Sequence, residues 1–592
     1  MMQVYADREV RERVARKFAR LAARVRAAER HDGSLRAHEH RVAALILAGE
    51  LVQGLADSSC PLPRRGMALM QALTQALAED CAASWRHNFR CRTSARVARL
   101  LPLAARQSWP AWITVRCPEG YAHYALYPEF YLETALAART AAAWRGVVGV
   151  RSIGTGLGAM VAAGLGVPLL DTVRPTGPPF DRRIEQPPLH APGTGTIAIV
   201  DEGPGLSGSS FHAVARWLHD AGTPGAGVAL FPGHGNGPGP RASAATRRFF
   251  ATTPSHPADP RGLRAPAAGG RGLDDWLRKL ADPAAAIEDL SGGRWRTLRC
   301  VGAHDAPALP AQERVKFLLR RPGGDRLAKF AGLGRTGERK LARQRLLADA
   351  GFGPAARGLI HGFLVMDWID PACDDAQEWV RPHGARRGQL VAHLARYLAF
   401  RSARWPAPPG SGARLAELAA MARCNGASLG IDHRGWNAMA LHAAGFEHTV
   451  RRIATDNRLQ AWEWVSNGER LLKVDAVDHC ESHDLVGCQD LAWDVAGAIV
   501  ELALDAAELD ALMAQLAARG CPVNPALLRL CLPCYVAFQL GAFTMALETC
   551  PSEDRPAIER QCARHRQRLS GDVEALLAHP IATGHGKHRV SA

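Results

Sequence analysis

Two stretches constrain the fold more than any other part of the chain. Near residues 147 and 196 an apolar run breaks into a glycine-rich turn and then a helical pattern: VVGVRSIGTGLGAMVAAGLG and TIAIVDEGPGLSGSSFHAVARWLHDAG. Short β-branched runs that each give way to a helix predict buried strands of a parallel sheet covered by helices. AWITVRC and GVALF extend the same alternation from Trp112 onward. Upstream, residues 1 to about 108 carry helical periodicity with few strand formers, as in HRVAALILAGELVQGLAD, and predict a helical region. Residues 236–285 are rich in Gly, Pro, Ala and Arg and read as a linker. Beyond them WRTLRCVG and RVKFLLRR predict a small β-rich lobe, followed from about residue 372 by a mostly helical body. The expected organisation is a helical N-terminal region over 1–110, an α/β domain over 111–235, the linker, and an α+β domain over 286–592.

Length allows this: 592 residues suffice for about three to four domains of roughly 150 residues. With 47% hydrophobic and 22% charged residues, a disordered chain, a collagen-like fibre and a disulfide scaffold are excluded. The net charge of +16 comes almost entirely from arginine, since the chain has only seven lysines. No run of five basic residues and no nucleic-acid module occurs, so phosphorylated small molecules, not nucleic acids, are the expected partners. The first thirty residues lack a secretory pattern. Two uncharged stretches, Ile153–Leu170 and Leu530–Leu547, are broken by Gly and Pro and read as buried protein, so the expectation is a cytoplasmic chain without a membrane span. Cys531 and Cys534 fall in an apolar helical run and read as core.

The turn after TIAIV carries the first chemistry. Loop N–H groups at a helix N-terminus hold a phosphate, and the hydroxyls of Ser207, Ser209 and Ser210 add donors. Asp201 and Glu202, at the strand's carboxyl end, can accept from two ribose hydroxyls. The turn from Arg151 to Thr155 is a second anion cradle on the same sheet edge. A Rossmann-like phosphate site or a purely structural β-turn-α unit is the alternative. This combination resembles the type I phosphoribosyltransferases over about 120 residues. The resemblance implies that Asp201 and Glu202 bind ribose, that Gly205, Ser207, Gly208, Ser209 and Ser210 surround the 5-phosphate, and that Arg151, Ser152, Gly154 and Thr155 hold pyrophosphate. TVRPTGPPFDRR would be the mobile loop, with Arg174 and Arg182 near the leaving group, and phosphoribosyl pyrophosphate the donor. Gly208 falls one place later than the family spacing.

The second chemistry begins at Lys329. A lysine on a strand, with Glu338 nine residues later at a helix start, can set an ammonium against nucleotide phosphates. GFLVMDWID is an apolar strand ending in Asp367, suited to an adenine-binding hinge. In RRIATDNRLQAWEWVSNGERLLKVDAVDH, Asp456 and Asp475 flank a predicted hairpin, so one carboxylate can orient an acceptor while the other holds Mg²⁺. These residues resemble the aminoglycoside phosphotransferase and choline kinase-like family over roughly 300 residues. The resemblance implies a bilobal protein-kinase-like fold using ATP and Mg²⁺, with Asp456 as catalytic base, Asp475 as chief metal ligand and Asp478 as a second acid. Lys329 and Glu338 would form the phosphate-positioning pair. The family's loop histidine and metal-binding asparagine are Ala454 and Ala461 here, and Gln460 or Asn457 is the substitute oxygen ligand. Together the two resemblances predict a multidomain α/β and α+β transferase. It would be a phosphoribosyltransferase joined to an ATP-dependent small-molecule kinase, or else a regulatory protein that binds the same ligands without turnover. Glu50, Gln53 and Asp57 recur on one face of an N-terminal helix and read as a solvated face, the alternative being the lining of a cleft.

Overall fold

Apolar periodicity and side-chain caps define the N-terminal helices of the computed structural model. It describes residues 2–578 other than 7, 59–63, 188, 190–193, 221–226, 259–270, 281–284, 299–305, 311, 371–374, 409 and 431–444. Strand β1 (Glu9–Arg13) leads into α1 (Val14–Arg30), α2 (Leu35–Ala56), α3 (Arg64–Arg86) and α4 (Ala95–Ala105). Ser34 caps α2 by accepting from the Ala37 N–H at 3.2 Å, and Ser94 caps α4 likewise from Val97. β2 (Trp112–Arg116), expected from AWITVRC to join the parallel sheet, instead lies outside it and pairs antiparallel with β1, which stitches the first residues of the chain to the start of the α/β region.

After the short α5 (Glu119–Ala122) and α6 (Pro128–Ala138) come β3 (Trp144–Val150), α7 (Gly154–Leu165), β4 (Leu169–Val173) and the small hairpin β5 (Pro175–Thr176) and β6 (Arg183–Ile184). β7 (Thr196–Val200), α8 (Ser209–Asp220) and β8 (Val228–Phe231) complete the unit. The sheet has the order β4-β3-β7-β8 and is parallel throughout, as the strand–helix alternation predicts. Alternate residues face opposite layers: Val147, Ala198 and Val200 join the N-terminal helices, while Val148, Ile197 and Ile199 pack on Phe211 and Trp217 of α8.

The stretch read as a linker departs from that reading. Two segments of it are helical, α9 (Ala244–Thr252) and α10 (Leu273–Leu280), and Trp276 of α10 is fully buried against Trp85, Tyr127 and His361. Its eight residues place Leu273, Trp276 and Leu277 on one face, a signal too short to stand out from the Gly/Pro-rich flanks. β9 (Ala286–Asp289), β10 (Lys316–Arg320), β11 (Arg326–Phe330), β12 (Ala356–Ile360) and β13 (Phe363–Asp367) form an antiparallel sheet of order β12-β13-β11-β10-β9, with α11 (Arg335–Asp349) beside it. The strand expected in WRTLRCVG is a 3₁₀ turn over Arg294–Leu298, and the rest of that motif lies outside the described residues.

The body that follows holds α12 (Gln377–Val380), α13 (Arg387–Arg404), α14 (Leu415–Ala427), the hairpin β14 (Trp464–Ser466) and β15 (Leu471–Lys473), α15 (Leu491–Glu501), α16 (Ala506–Ala518), α17 (Pro525–Ala546) and α18 (Arg555–Ala578). α17 is long and apolar enough to cross a membrane by composition, yet 83% of that window is buried within the protein, Cys531 and Cys534 included. One apolar core runs continuously from α2 and α3 through β3 and α7 to Trp276, Phe317, Phe330 and Phe363. The N-terminal helices, the parallel sheet and the five-stranded sheet thus share an interior.

Candidate functional site

The first candidate site lies at the carboxyl edge of the parallel sheet. β3 is followed by a helix on one side of the order and β7 by a helix on the other, so their turns diverge and open a crevice where α/β folds bind ligands. Arg151, Ser152, Arg174, Arg182, Asp201, Glu202 and Ser210 line that crevice. Six residues named from the sequence do not line it. Thr155 is buried under α2, its Cβ facing Gly49, and Gly154 is pressed on the end of β7, where a Cβ would stand 2.5 Å from the Val200 carbonyl. Ser207 and Ser209 bond each other at 3.0 Å, and the Ser209 hydroxyl donates to the Pro179 carbonyl at 2.6 Å. Gly205 and Gly208 adopt positive φ, and at Gly208 a Cβ would strike Phe250 and Pro238 at 2.8 Å, so that glycine serves close packing of the loop.

Charges in the crevice are organised by a residue from the helical region. Asp57, at the end of α2, takes Arg151 Nε at 3.2 Å and Arg174 Nη2 at 2.5 Å. Gln53 is buried and accepts from the Arg116 N–H at 2.9 Å, and Glu50 pairs with Lys17 at 2.6 Å. The reading of these three residues as a solvated face is corrected at Gln53, which β2 covers; Glu50 and Asp57 stay partly exposed and are tied to Lys17 of α1 and to the two arginines. Opposite the arginines, desolvation and the neighbouring Glu202 push the Asp201 carboxyl up to about 8. The Gly120 N–H donates to Glu202 Oε2 at 2.8 Å.

The second candidate site lies between the five-stranded sheet and the helical body. Leu327, Met366 and Trp368 form an apolar wall, and Lys329, Asp367, Arg458, Gln460, Glu463 and Asp475 supply the polar lining. Lys329 Nζ stands 2.7 Å from Asp475 and 2.5 Å from Asp478. Burial works against its charge, but the two carboxylates outweigh burial and hold its pKa above the usual lysine range. Lys340 of α11 closes on the other oxygen of Asp478 at 2.5 Å. Gln460 Oε1 is buried without a hydrogen-bond partner among the described residues. Oxygen donors of this kind suit Mg²⁺, and Asp475 with Gln460 would hold it.

Glu338, expected to pair with Lys329, instead binds Arg24 at 2.5 Å and is 47% exposed. The inward face of α11 is Gly337, Lys340, Gln344 and Leu347, and Glu338 sits two residues, about 200°, from Lys340. Asp367 is committed to Arg357 through both oxygens, at 2.6 and 2.5 Å.

Asp456, expected as an open base, is fully buried and enclosed. Tyr397 donates to one oxygen, which Arg401 approaches at 3.6 Å; the other faces Lys473 at 3.3 Å and His479 at 3.5 Å. Asp494 in turn accepts from the Asp456 and Asn457 N–H groups, each at 2.9 Å. Lys473 bridges Asp456 to Glu463, and Glu463 is the carboxylate of this group that reaches the pocket. Desolvation raises the Glu463 pKa against the pull of Lys473 and His479. His479 is driven up to about 9, since Asp475 and Glu463 outweigh its burial.

No protein-family model matches the chain, and no curated protein matches it. Among solved structures it is similar to the choline kinase LicA from Streptococcus pneumoniae, with 14% identity over 44% of this chain and 90% of that one and a TM-score of 0.32. A choline/ethanolamine kinase family protein from Mesorhizobium loti gives 16% identity over 44% and 89% with a TM-score of 0.31. An ethanolamine kinase from Plasmodium vivax gives 9% over 50% and 87% with a TM-score of 0.33. An overlap this loose leaves any assignment to the chain's own geometry.

Proposed function

We propose that the chain is an ATP-dependent small-molecule phosphotransferase whose crevice at the parallel sheet binds a sugar phosphate of the phosphoribosyl pyrophosphate type. The observation that carries the first part is the ammonium of Lys329 held between Asp475 and Asp478 at the foot of an apolar slot. A cation there meets phosphate oxygens, and Leu327, Met366 and Trp368 offer a surface for an adenine ring. Mg²⁺ supplies charge neutralisation on the phosphates when bound. The chain's own part is electrostatic and steric. Lys329 leaves part of its carboxylate contact for phosphate, and Asp456, its oxygens occupied, fixes the loop that carries Gln460. Glu463, with a raised pKa and access to the pocket, is the group suited to take the acceptor's proton.

At the parallel sheet, the support is the convergence of Arg151, Arg174 and Arg182 opposite Asp201 and Glu202 at a topological switch point. A phosphoribosyltransferase activity rests on that convergence and on the sequence resemblance. A second reading, ligand binding without turnover, is favoured by two observations: Asp456 is sealed from the pocket, and Asp57 already neutralises Arg151 and Arg174.

Calorimetric titration of the full chain with Mg·ATP, alongside an acceptor-independent ATPase assay, tests the Lys329 pocket. Wild type should bind, Asp475→Ala should lose binding, and Glu463→Gln should keep binding while turnover falls by about a hundredfold. Failure of wild type to bind Mg·ATP removes the kinase reading, and binding without turnover on any acceptor favours the second one. Phosphoribosyl pyrophosphate should raise the melting temperature of the full chain and lose that effect in Asp201→Asn/Glu202→Gln. An unchanged shift in the double variant removes the ribose site.

A further inference from the structure

One fully buried polar cluster lies in neither site. His38 of α2, Glu129 of α6 and His361 of the turn between β12 and β13 meet in the interior, with 0%, 0% and 3% of their surface exposed. His38 Nε2 lies 2.9 Å and His361 Nε2 2.6 Å from the same oxygen, Glu129 Oε1. The other oxygen, Oε2, is fully buried and has no hydrogen-bond partner among the described residues. A purely hydrogen-bonded arrangement would share two imidazole donors between two carboxylate oxygens, because an orphaned buried acceptor costs about 1 to 3 kcal/mol. Two Nε2 atoms converging on one edge of a carboxylate, with the second oxygen bare, is a donor set that a cation completes.

We infer that His38, Glu129 and His361 form a buried binding site for a divalent first-row transition ion of the zinc class. The two Nε2 atoms and both Glu129 oxygens supply four ligand atoms, a nitrogen- and carboxylate-rich set that suits such an ion better than Mg²⁺. One ligand atom from each of the three residues lies within 4.8 Å of the other two. His38 Nδ1 stands 3.1 Å from Ser84 Oγ, an outer contact of the kind that fixes a ligating imidazole's tautomer and orientation. Trp85 and Trp276 wall the cluster, so the site is closed, as structural metal sites are. Its ligands come from the N-terminal helices, the approach to the parallel sheet and the five-stranded sheet, so the ion would clip three regions together. The inference is independent of the phosphotransferase reading.

The test is full-length protein produced in medium where Co²⁺ replaces Zn²⁺ and purified without chelator. It should retain one tightly held equivalent of cobalt, with visible ligand-field bands and an X-ray absorption signature of two imidazoles. The cluster of Asp456, Glu463 and His479 offers a single imidazole, so the count separates the two places. Glu129→Gln and His361→Asn should each lose the two-imidazole signal, and His479→Gln should keep it. Protein without cobalt, or with cobalt bound by fewer than two imidazoles, overturns the site, as does full retention in folded Glu129→Gln. Should neither ligand variant fold, the wild-type stoichiometry and imidazole count decide alone.

Discussion

Replacing Asp478 by Asn isolates the electrostatic core beside the pocket between the five-stranded sheet and the helical body. Asp478 is 3% exposed and lies between Lys329 and Lys340, and Lys340 has no exposed surface. After the change Lys329 keeps Asp475 at 2.7 Å, but Lys340 loses its close counter-ion while Arg314 still bears on it. Glu481 cannot take over, because Arg339 and Arg343 hold it at 2.7 and 2.9 Å. Breaking a buried pair on one side costs about 3 to 5 kcal/mol, so Asp478→Asn should lower the urea midpoint by an amount equivalent to that. Adding Lys340→Met removes the stranded ammonium and should restore roughly 2 kcal/mol or more of the loss, a coupling measurable in a double-mutant cycle. The pH dependence has a definite sign. Burial depresses Lys340 below its ordinary 10.5, so charging it opposes folding below its native pKa and the penalty eases as pH rises toward 10.5. Without Asp478 the native pKa falls further, and the deficit against wild type should narrow as pH rises toward 10.5. A loss under about 1 kcal/mol, or no recovery in the double variant, refutes Asp478 as the counter-charge of Lys340.

Trp276→Ala should cost about 3 to 5 kcal/mol in the same unfolding assay, and a loss under about 1 kcal/mol would return its helix to the status of a linker. His479, raised from 6.5 to about 9, contributes stability that is fully present below pH 6.5 and is lost as pH climbs through 9; His479→Gln should flatten that slope, and an unchanged slope would place its origin elsewhere. Asp57→Asn frees Arg151 and Arg174 and should tighten pyrophosphate binding roughly tenfold, about 1.4 kcal/mol, by calorimetry. Weaker binding in that variant would make Asp57 a positioning residue for the arginines, not their competitor.

The parallel sheet was legible because β-branched runs ending at glycine turns have few other solutions, and Arg151, Asp201 and Glu202 fall where those runs place them. The hairpin between Asp456 and Asp475 falls where the sequence places it, whereas of the two runs expected to build the small β-rich lobe only RVKFLLRR supplies a strand, Arg294–Leu298 of the other being a 3₁₀ turn. What sequence did not reveal was partner choice. Glu338 carries the right spacing from Lys329, but helix phase turns it outward and brings Lys340 in. Lysine scarcity held the missed signal: three of the seven lysines, Lys329, Lys340 and Lys473, converge on the acids of one pocket. Asp456 has the expected place in its loop, yet its enclosure depends on Tyr397 and Arg401, more than fifty residues earlier on α13, and no local pattern announces that. Asp57 was misread because its partners lie across the fold, and a helix wheel cannot tell solvent from a sheet edge bearing arginines.

The two candidate sites are joined by four residues. The Gly120 N–H holds Glu202 in the crevice, the Tyr121 carbonyl accepts from Leu333 just ahead of α11 at 2.9 Å, and the His123 carbonyl accepts from Arg314 in the nucleotide pocket at 3.4 Å. α11 then carries Lys340 to Asp478 and so to Lys329. Glycine at 120 permits this closeness, because a Cβ would stand 2.8 Å from Ile153 and Leu126 and 2.9 Å from Glu202 Oε2. A ligand that draws Glu202 away moves the segment on which α11 begins, and a nucleotide that draws on Lys329 acts on the same helix from its other side. Binding free energies must then couple reciprocally: if Mg·ATP changes phosphoribosyl pyrophosphate affinity by some factor, the reverse experiment must give the same factor. Gly120→Ala, which forces Glu202 to shift, should weaken sugar-phosphate binding and shrink that factor toward one, while Mg·ATP affinity measured alone changes little. Equal coupling in wild type and Gly120→Ala would show that Gly120–His123 does not carry it, and a factor of one in wild type would mean that the two sites, though joined by this segment, act independently.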